Sequence, residues 1–222
     1  VKKTISRARA AGMDVLLGIH YSDIWADPAR QVLPGAWKNI YTDEDAMAAA
    51  VYNYTIDVLT SLNDQGALPE IIKIGNESNA GMMNTQNLVV ELNNAMTGLD
   101  ISSDGLSNFS DQFQARMYNA GISAVRDFSD GMDNPPLIAL HVAGIEHALW
   151  FYQKMMEIGV TDFDIAGFSF YYGWEGLPLE DLEFVIKTMK IQFPDYSPML
   201  VETGYLWDEE NSDSLSNIIN ES

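Results

Sequence analysis

The sequence contains no cysteine, which excludes a disulfide scaffold, a thiolate metal site and a cysteine nucleophile. Positive charge is scarce: 12 Lys and Arg stand against 32 Asp and Glu, for a formal net charge of −20. Phosphate recognition needs clustered Lys and Arg, so nucleic acid and anionic membranes are poor partners for such a chain. No apolar run approaches the roughly 18 residues of a membrane span. The three histidines fall at 20, 141 and 147, with no H-E-x-x-H and no i, i+4 pair, so the usual helical zinc motif is missing. A glycine-rich phosphate loop is missing as well. What the chain has is a globular supply of hydrophobic residues, 47%, and many aromatics, including five Trp and ten Tyr. Its 222 residues show no internal repeat or low-complexity linker, which favours one domain over 1–222.

Five short apolar runs punctuate the sequence: Met13–Ile19, Glu70–Gly75, Leu137–His141, Ile165–Tyr171 and Pro198–Val201. Short, nearly uninterrupted runs suit parallel strands covered on both faces. Helical patterns lie between them. The first covers Val1 to Ala11, with Gly12 at the C-terminal position. A Thr42 capping box with Asp45 opens the next, on a stripe of Met47, Val51, Tyr54, Val58 and Leu62. Further helices are predicted over Ser110–Asp127, His147–Ile158 and from Pro178, while Asn84–Asn108 reads as a long loop with a short helix. Strand then helix, repeated, is the pattern of a parallel α/β fold.

Each apolar run delivers polar or titratable residues at its end. The first is followed by His20, Tyr21 and Asp23, the second by Asn76 and Glu77, the third by His141, the fourth by Tyr171 and Tyr172, the fifth by Glu202. A (β/α)8 TIM barrel places its functional groups at the C-terminal ends of its strands, above apolar interior layers. A doubly wound sheet also binds ligands at strand ends but needs no functional group on every strand. The barrel is therefore the predicted fold.

Glu77 and Glu202 are the central pair. Either alone reads as a surface glutamate, but two carboxyls at strand ends are what glycoside hydrolysis requires, one to protonate the leaving oxygen and one to attack or to activate water. Asn76 beside Glu77 suits a sugar hydroxyl. Trp25, Trp174 and Trp207 offer flat faces for pyranose stacking, while Trp37 is expected to pack under its loop.

His20-Tyr21-Ser22-Asp23-Ile24-Trp25-Ala26-Asp27-Pro28, with Gln31 and Pro34-Gly35-Ala36-Trp37, resembles the signature after the third strand of the arabinogalactan endo-β-1,4-galactanases, glycoside hydrolase family 53. Ile74-Gly75-Asn76-Glu77 resembles the fourth-strand motif, His141 with Ala148-Leu149-Trp150-Phe151 the fifth-strand region, Phe168-Ser169-Phe170-Tyr171 with Trp174 and Gly176 the sixth, and Val201-Glu202-Thr203-Gly204-Tyr205 with Trp207 the seventh. The resemblance implies that Glu77 is the general acid/base and Glu202 the nucleophile of a retaining mechanism, with carboxyls about 5–5.5 Å apart. It implies sugar-binding roles for His20, Asp23, Trp25, Asn76, His141, Tyr171, Trp174 and Trp207, and a hydrogen bond from Tyr171 to the nucleophile; the alternative for His20 and His141 is that they are buried histidines satisfied by backbone groups, against which their strand-end placement points to the site. The sequence departs from the family pattern at Tyr172-Gly173, at Glu175, after His141 and at Asn79-Ala80-Gly81, all bordering the groove, where linkage and sugar preference are set.

On this alignment the 222 residues are an incomplete barrel covering roughly strands 3 to 7, and alone they are expected to be inactive and prone to aggregation. The implied activity is endo-hydrolysis of β-1,4-galactan in the arabinogalactan side chains of pectin, by an extracellular or cell-envelope monomer. The alternatives are a retaining endo-glycanase acting on another β-glycan, or a carbohydrate-binding barrel without turnover. No cofactor is required; Asp208 and Asp213 in the acidic tail are weak candidates for a structural calcium.

Overall fold

The computed structural model describes residues 1–83 and 111–204. The predicted loop over Asn84–Asn108 lies outside them. Five strands form one sheet: β1 (Leu16–Ile19), β2 (Ile71–Ile74), β3 (Leu137–Val142), β4 (Ile165–Ser169) and β5 (Ser197–Glu202). Every neighbouring pair is parallel and the spatial order is β1-β2-β3-β4-β5. Strands that advance in one direction without a reversal are wound as in a barrel; a doubly wound sheet turns back at a switch point. All five predicted strands are present, each trimmed or extended by a few residues.

The helices are α1 (Lys2–Ala10), α2 (Glu44–Asn63), α3 (Asp111–Ser129), α4 (Ile145–Glu157), the single turn α5 (Tyr172–Glu175) and α6 (Leu179–Gln192), with a 3-10 turn at Gly35–Trp37. Gly12 does follow α1 in a left-handed conformation, φ 75°. The cap of α2 differs from expectation. Asp43, not Thr42, is its N-cap, and the Asp43 carboxylate accepts from the Ala46 amide at 3.0 Å. A carboxylate there also meets the positive end of the helix dipole. The buried stripe of α2 is Met47, Val51, Thr55, Leu59 and Leu62, while Tyr54 is largely exposed. Tyr54 instead joins Tyr21 and Trp37 in an aromatic cluster, with ring centroids 6.2 and 6.0 Å away; Trp37 thus packs beneath its loop as expected. The turn α5 was not anticipated, because four residues carry no periodicity to read.

Ile72, Ile74, Ile138, Leu140 and Phe168 of the sheet are fully buried with Met47, Phe113, Met117 and Tyr152 from the helices. Removing each such side chain from water contributes about 1.5–3 kcal/mol. Tyr152 of α4 also ties two strands together: its hydroxyl lies 3.0 Å from the Leu140 carbonyl and 2.7 Å from that of Gly167. Gly167 has no room for a side chain, since a Cβ there would stand 2.7 Å from the Leu140 carbonyl oxygen.

One irregularity positions a functional residue. Phe168 pairs with Leu200, but Ser169 pairs with Glu202, so Val201 is an extra residue on β5. A bulge of this kind bends a strand and re-aims the next side chain. Here it sets Glu202 beside Ser169 at the C-terminal rim.

Candidate active site

The C-terminal ends of the strands converge on Glu77 and Glu202. β2 ends at Ile74, and the chain turns sharply through Gly75 (φ 80°) and Glu77 (φ 45°). A left-handed glutamate is an uncommon backbone state, held only where the surroundings impose it. The surroundings are visible. The Gly75 amide donates to the Ile19 carbonyl at 2.9 Å and the Ser78 amide to the His141 carbonyl at 3.1 Å. Gln31, nearly fully buried, donates from Nε2 to the carbonyls of Asp27 and Asn76, both at 2.9 Å, and lies 3.3 Å from that of Glu77. The loop after β1 thereby clamps the turn after β2. That is a role for Gln31 that its place in a motif did not disclose.

The carboxyls reach one another across the rim. Oxygens of Glu77 and Glu202 and a ring nitrogen of His141 all lie within 4.8 Å of one another. Glu77 is buried and its Oε1 accepts from the Ser169 hydroxyl at 2.6 Å. Burial raises its pKa; the Ser169 hydrogen bond opposes this, and the Glu202 charge adds to it. Half-buried Glu202 accepts on Oε1 from the Tyr171 hydroxyl at 2.5 Å. Tyr171 is held in turn by Glu175, whose Oε1 accepts from the Tyr171 amide at 2.9 Å. Glu77 is thus in a setting that favours its proton, while Glu202 is held by a phenolic hydrogen bond. Two carboxyls with divergent environments divide acid and base work between them.

Behind the pair stands Lys73, in the middle of β2 and 5% exposed. Its ammonium donates to Asn76 Oδ1 at 2.5 Å and lies 2.8 Å from His141 Nδ1. Burial lowers its pKa to about 8, against the pull of Glu202 and Glu77. The same burial, with Lys73 and His20 nearby, drives that of His141 down to about 2, so the imidazole is neutral. The lone cation in a strand buried on both faces was the available signal for Lys73, because such strands are otherwise apolar.

The predicted sugar-binding residues separate into two groups. Trp25 (60% exposed) and Trp174 (66% exposed) present open aromatic faces. Trp174 is stacked on Tyr171 with centroids 4.7 Å apart, and Trp25 meets His20 edge-on at 4.8 Å. His20 is half-buried, its Nδ1 accepting from the Ala26 amide at 3.2 Å; burial and then Lys73 lower its pKa. Asp23 is exposed and its carboxylate takes the Gly35 amide at 2.8 Å, so it shapes the loop. Asn76 and His141 are turned inward. Asn76 is 1% exposed and His141 is 0% exposed. Asn76 spends its amide on the Ala26 carbonyl at 2.8 Å and on Lys73, and His141 uses both ring nitrogens on internal partners. They support the carboxyls from behind. Trp207, and the calcium candidates Asp208 and Asp213, lie outside the described residues.

Glu77, His141 and Glu202 are close enough to be considered as metal ligands. However, the imidazole nitrogens are already occupied, and the Lys73 ammonium supplies the local positive charge.

Sequentially wound parallel strands with paired carboxyls at their C-terminal rim are the layout of the barrel glycoside hydrolases. Comparison with known proteins narrows this. The family model of glycosyl hydrolase family 53 matches residues 1–222, and the chain belongs to that family. The arabinogalactan endo-beta-1,4-galactanase of Cellvibrio japonicus (strain Ueda107) is 37% identical over 222 residues, which cover 100% of this chain and 54% of that protein. Among solved structures, the GH53 catalytic domain of Ignisphaera aggregans superposes with a TM-score of 0.73 at 31% identity, over 96% of this chain and 52% of that one. A fungal beta-1,4-galactanase gives 0.72 at 27% identity, over 91% and 56%. The fold is accordingly the (β/α)8 barrel, of which these residues supply five consecutive strands. The chain spans about half the length of the relatives it matches.

Proposed function

We propose that the protein carrying this chain is an endo-β-1,4-galactanase that cleaves galactan by a retaining double displacement. The observation that carries the reading is the carboxyl pair, with oxygens of Glu77 and Glu202 within 4.8 Å, nearer to the close spacing of retaining enzymes than to the wider gap of inverting ones. Glu77, whose burial favours the protonated form, donates its proton to the glycosidic oxygen. Glu202, an anion oriented by Tyr171, attacks the anomeric carbon; the C–O bond breaks, the shortened chain leaves with the Glu77 proton, and a galactosyl ester remains on Glu202. Glu77, now a carboxylate, takes a proton from water, which attacks the same carbon and frees Glu202. Two inversions give net retention. Trp25 and Trp174 stack on sugar rings flanking the cleaved bond, Trp174 on the side of Glu202 through its contact with Tyr171.

Galactan specificity is supported by the galactanase relatives. A polymer of this kind is met outside the cell, which supports an extracellular setting for the enzyme. A carbohydrate-binding barrel without turnover would have no use for the close pair or for a raised pKa on one member. The test is release of reducing sugar from β-1,4-galactan by the natural protein at full length, beside Glu77→Gln and Glu202→Gln, with mannan, xylan and β-glucan as controls. Activity on galactan, abolished in both variants, is expected. Turnover of a different glycan only would refute the specificity, and binding without turnover would refute the enzyme.

A further inference from the structure

Lys73, His141 and Ser169 have no part in the chemistry just described, yet they form a connected set beneath Glu77. Room for the lysine is built into the sheet. Its neighbours in register are Gly18 on β1 and Ala139 on β3, and a Cβ on Gly18 would stand 2.8 Å from Lys73 Cε. An ammonium has donors only. The Lys73 ammonium and, more distantly, the Glu77 amide at 3.4 Å both point at His141 Nδ1, so Nδ1 accepts and the proton of the neutral ring sits on Nε2. Nε2 lies 2.8 Å from Ser169 Oγ, and that hydroxyl, its oxygen accepting from His141, donates to Glu77 Oε1 at 2.6 Å. Every donor along the path Lys73, His141, Ser169, Glu77 faces the same way.

We propose that Lys73, His141 and Ser169 are positioning residues forming a one-way hydrogen-bond chain that occupies Glu77 Oε1 and so leaves Oε2 to carry the catalytic proton. The proposal rests on Glu77 as the acid/base. The ammonium sets the direction. Without it, the His141 proton can move to Nδ1, where Asn76 Oδ1 lies 3.2 Å away as an acceptor. Nε2 would then accept from Ser169, and the serine oxygen would offer a lone pair to Glu77 Oε1. The acid's proton would turn inward, onto the oxygen facing the protein. The charged and titratable groups around this chain are Glu77 itself, Glu202 at the end of β5, Tyr171 after β4, His20 after β1 and Asp27, which acts on Glu77 from the β1 loop. The lowered pKa of Lys73, about 8, makes the chain sensitive to alkali.

The experiment is 15N NMR of histidine-labelled full-length protein, with kcat, KM and pH profiles on galactan, for wild type, Lys73→Met and Lys73→Gln. Only three histidines occur within this chain, and a His141→Asn spectrum assigns the signal. In the wild type His141 is expected to be the Nε2–H tautomer and to stay neutral down to pH 5. Lys73→Met should shift it towards Nδ1–H and lower kcat about 10- to 100-fold, at or below the usual range of a general acid's contribution, with KM little changed. Lys73→Gln offers an uncharged N–H on a side chain one atom shorter; when the variant holds the Nε2–H tautomer it should retain most of kcat while losing the alkaline limb due to the lysine. A wild-type Nδ1–H tautomer overturns the proposal. So does a Lys73→Gln protein that keeps the tautomer yet loses as much kcat as Lys73→Met, which would assign the lysine to charge and not to orientation. If Lys73→Met does not fold, the wild-type tautomer and Lys73→Gln still decide. Wild-type inactivity on galactan would refute the galactanase reading alone, because the tautomer is read without turnover.

Discussion

Replacing Tyr171 with Phe isolates one hydrogen bond. The phenol donates to Glu202 Oε1 at 2.5 Å, a short O–H···O⁻ contact of the charge-assisted kind. The ring itself has other duties, stacking on Trp174 at 4.7 Å and lying against Gly204, where a Cβ would meet Tyr171 Cε1 at 3.1 Å. Phe keeps that ring and removes only the hydroxyl. Hydrogen bonds to charged groups are worth about 1.5–3 kcal/mol. Were the bond merely to stabilise the carboxylate before attack, its loss would speed glycosylation, because the charge on Glu202 disappears as the ester forms. The geometry argues for orientation instead: Tyr171 occupies Oε1 and fixes the carboxylate plane, leaving the second oxygen for the anomeric carbon. Misplacement of a reacting group by an ångström costs on the order of 100-fold, and 1.5–3 kcal/mol corresponds to about 10- to 150-fold. The expected result is therefore a fall in kcat of about 10- to 150-fold by this reasoning, with KM nearly unchanged because the stacking surface survives. Steady-state kinetics on galactan of the full-length protein gives both numbers. A kcat equal to or above that of the wild type would show that Tyr171 does not orient the nucleophile.

Two further outcomes concern stability. Gly167→Ala drives a methyl group to 2.7 Å from the Leu140 carbonyl oxygen and 2.8 Å from Val201 Cγ1. Backbone cannot rotate away, so a loss of about 1–3 kcal/mol is expected, typical of overpacking. Denaturant titration of the full-length protein would expose the error if the midpoint did not move. Glu77→Gln should stabilise the protein at neutral pH while abolishing activity. Burial, with the Glu202 charge, raises the Glu77 pKa above its ordinary 4.5 despite Ser169. The folded state then binds more protons than the unfolded state in the window above that value, and stability falls as pH rises through it. At pH 4 Glu77 is protonated for the most part and the advantage of Gln shrinks; at pH 7 it is full. Equal Tm differences at the two pH values would contradict this.

Much of the architecture was legible in one dimension. Short apolar runs, each followed by polar residues, reveal parallel strands with a functional rim, because a strand covered on both faces has to be apolar until it emerges. The two glutamates stand out for the same reason, as does the capping region of α2, although Asp43 and Thr42 are adjacent candidates and only backbone geometry chooses between them. The sequence also holds Tyr171 at the right strand end to reach Glu202. Three-dimensional packing decided the rest. Val201 becomes a bulge only where β5 meets β4, and no local pattern marks which residue will be left unpaired. Asn76 and His141 look like groove residues by position, yet they turn inward because Lys73, a residue from the middle of a strand, reaches them through the space left by Gly18. Gln31 grips a turn 45 residues away. Such roles depend on which side chains meet across strands far apart in the chain. Sequence by itself determined the strands, the rim and the carboxyl pair; only the tertiary structure decided which groups face the open rim and which hold the carboxyls from behind, because burial and hydrogen-bond direction are properties of the assembled sheet.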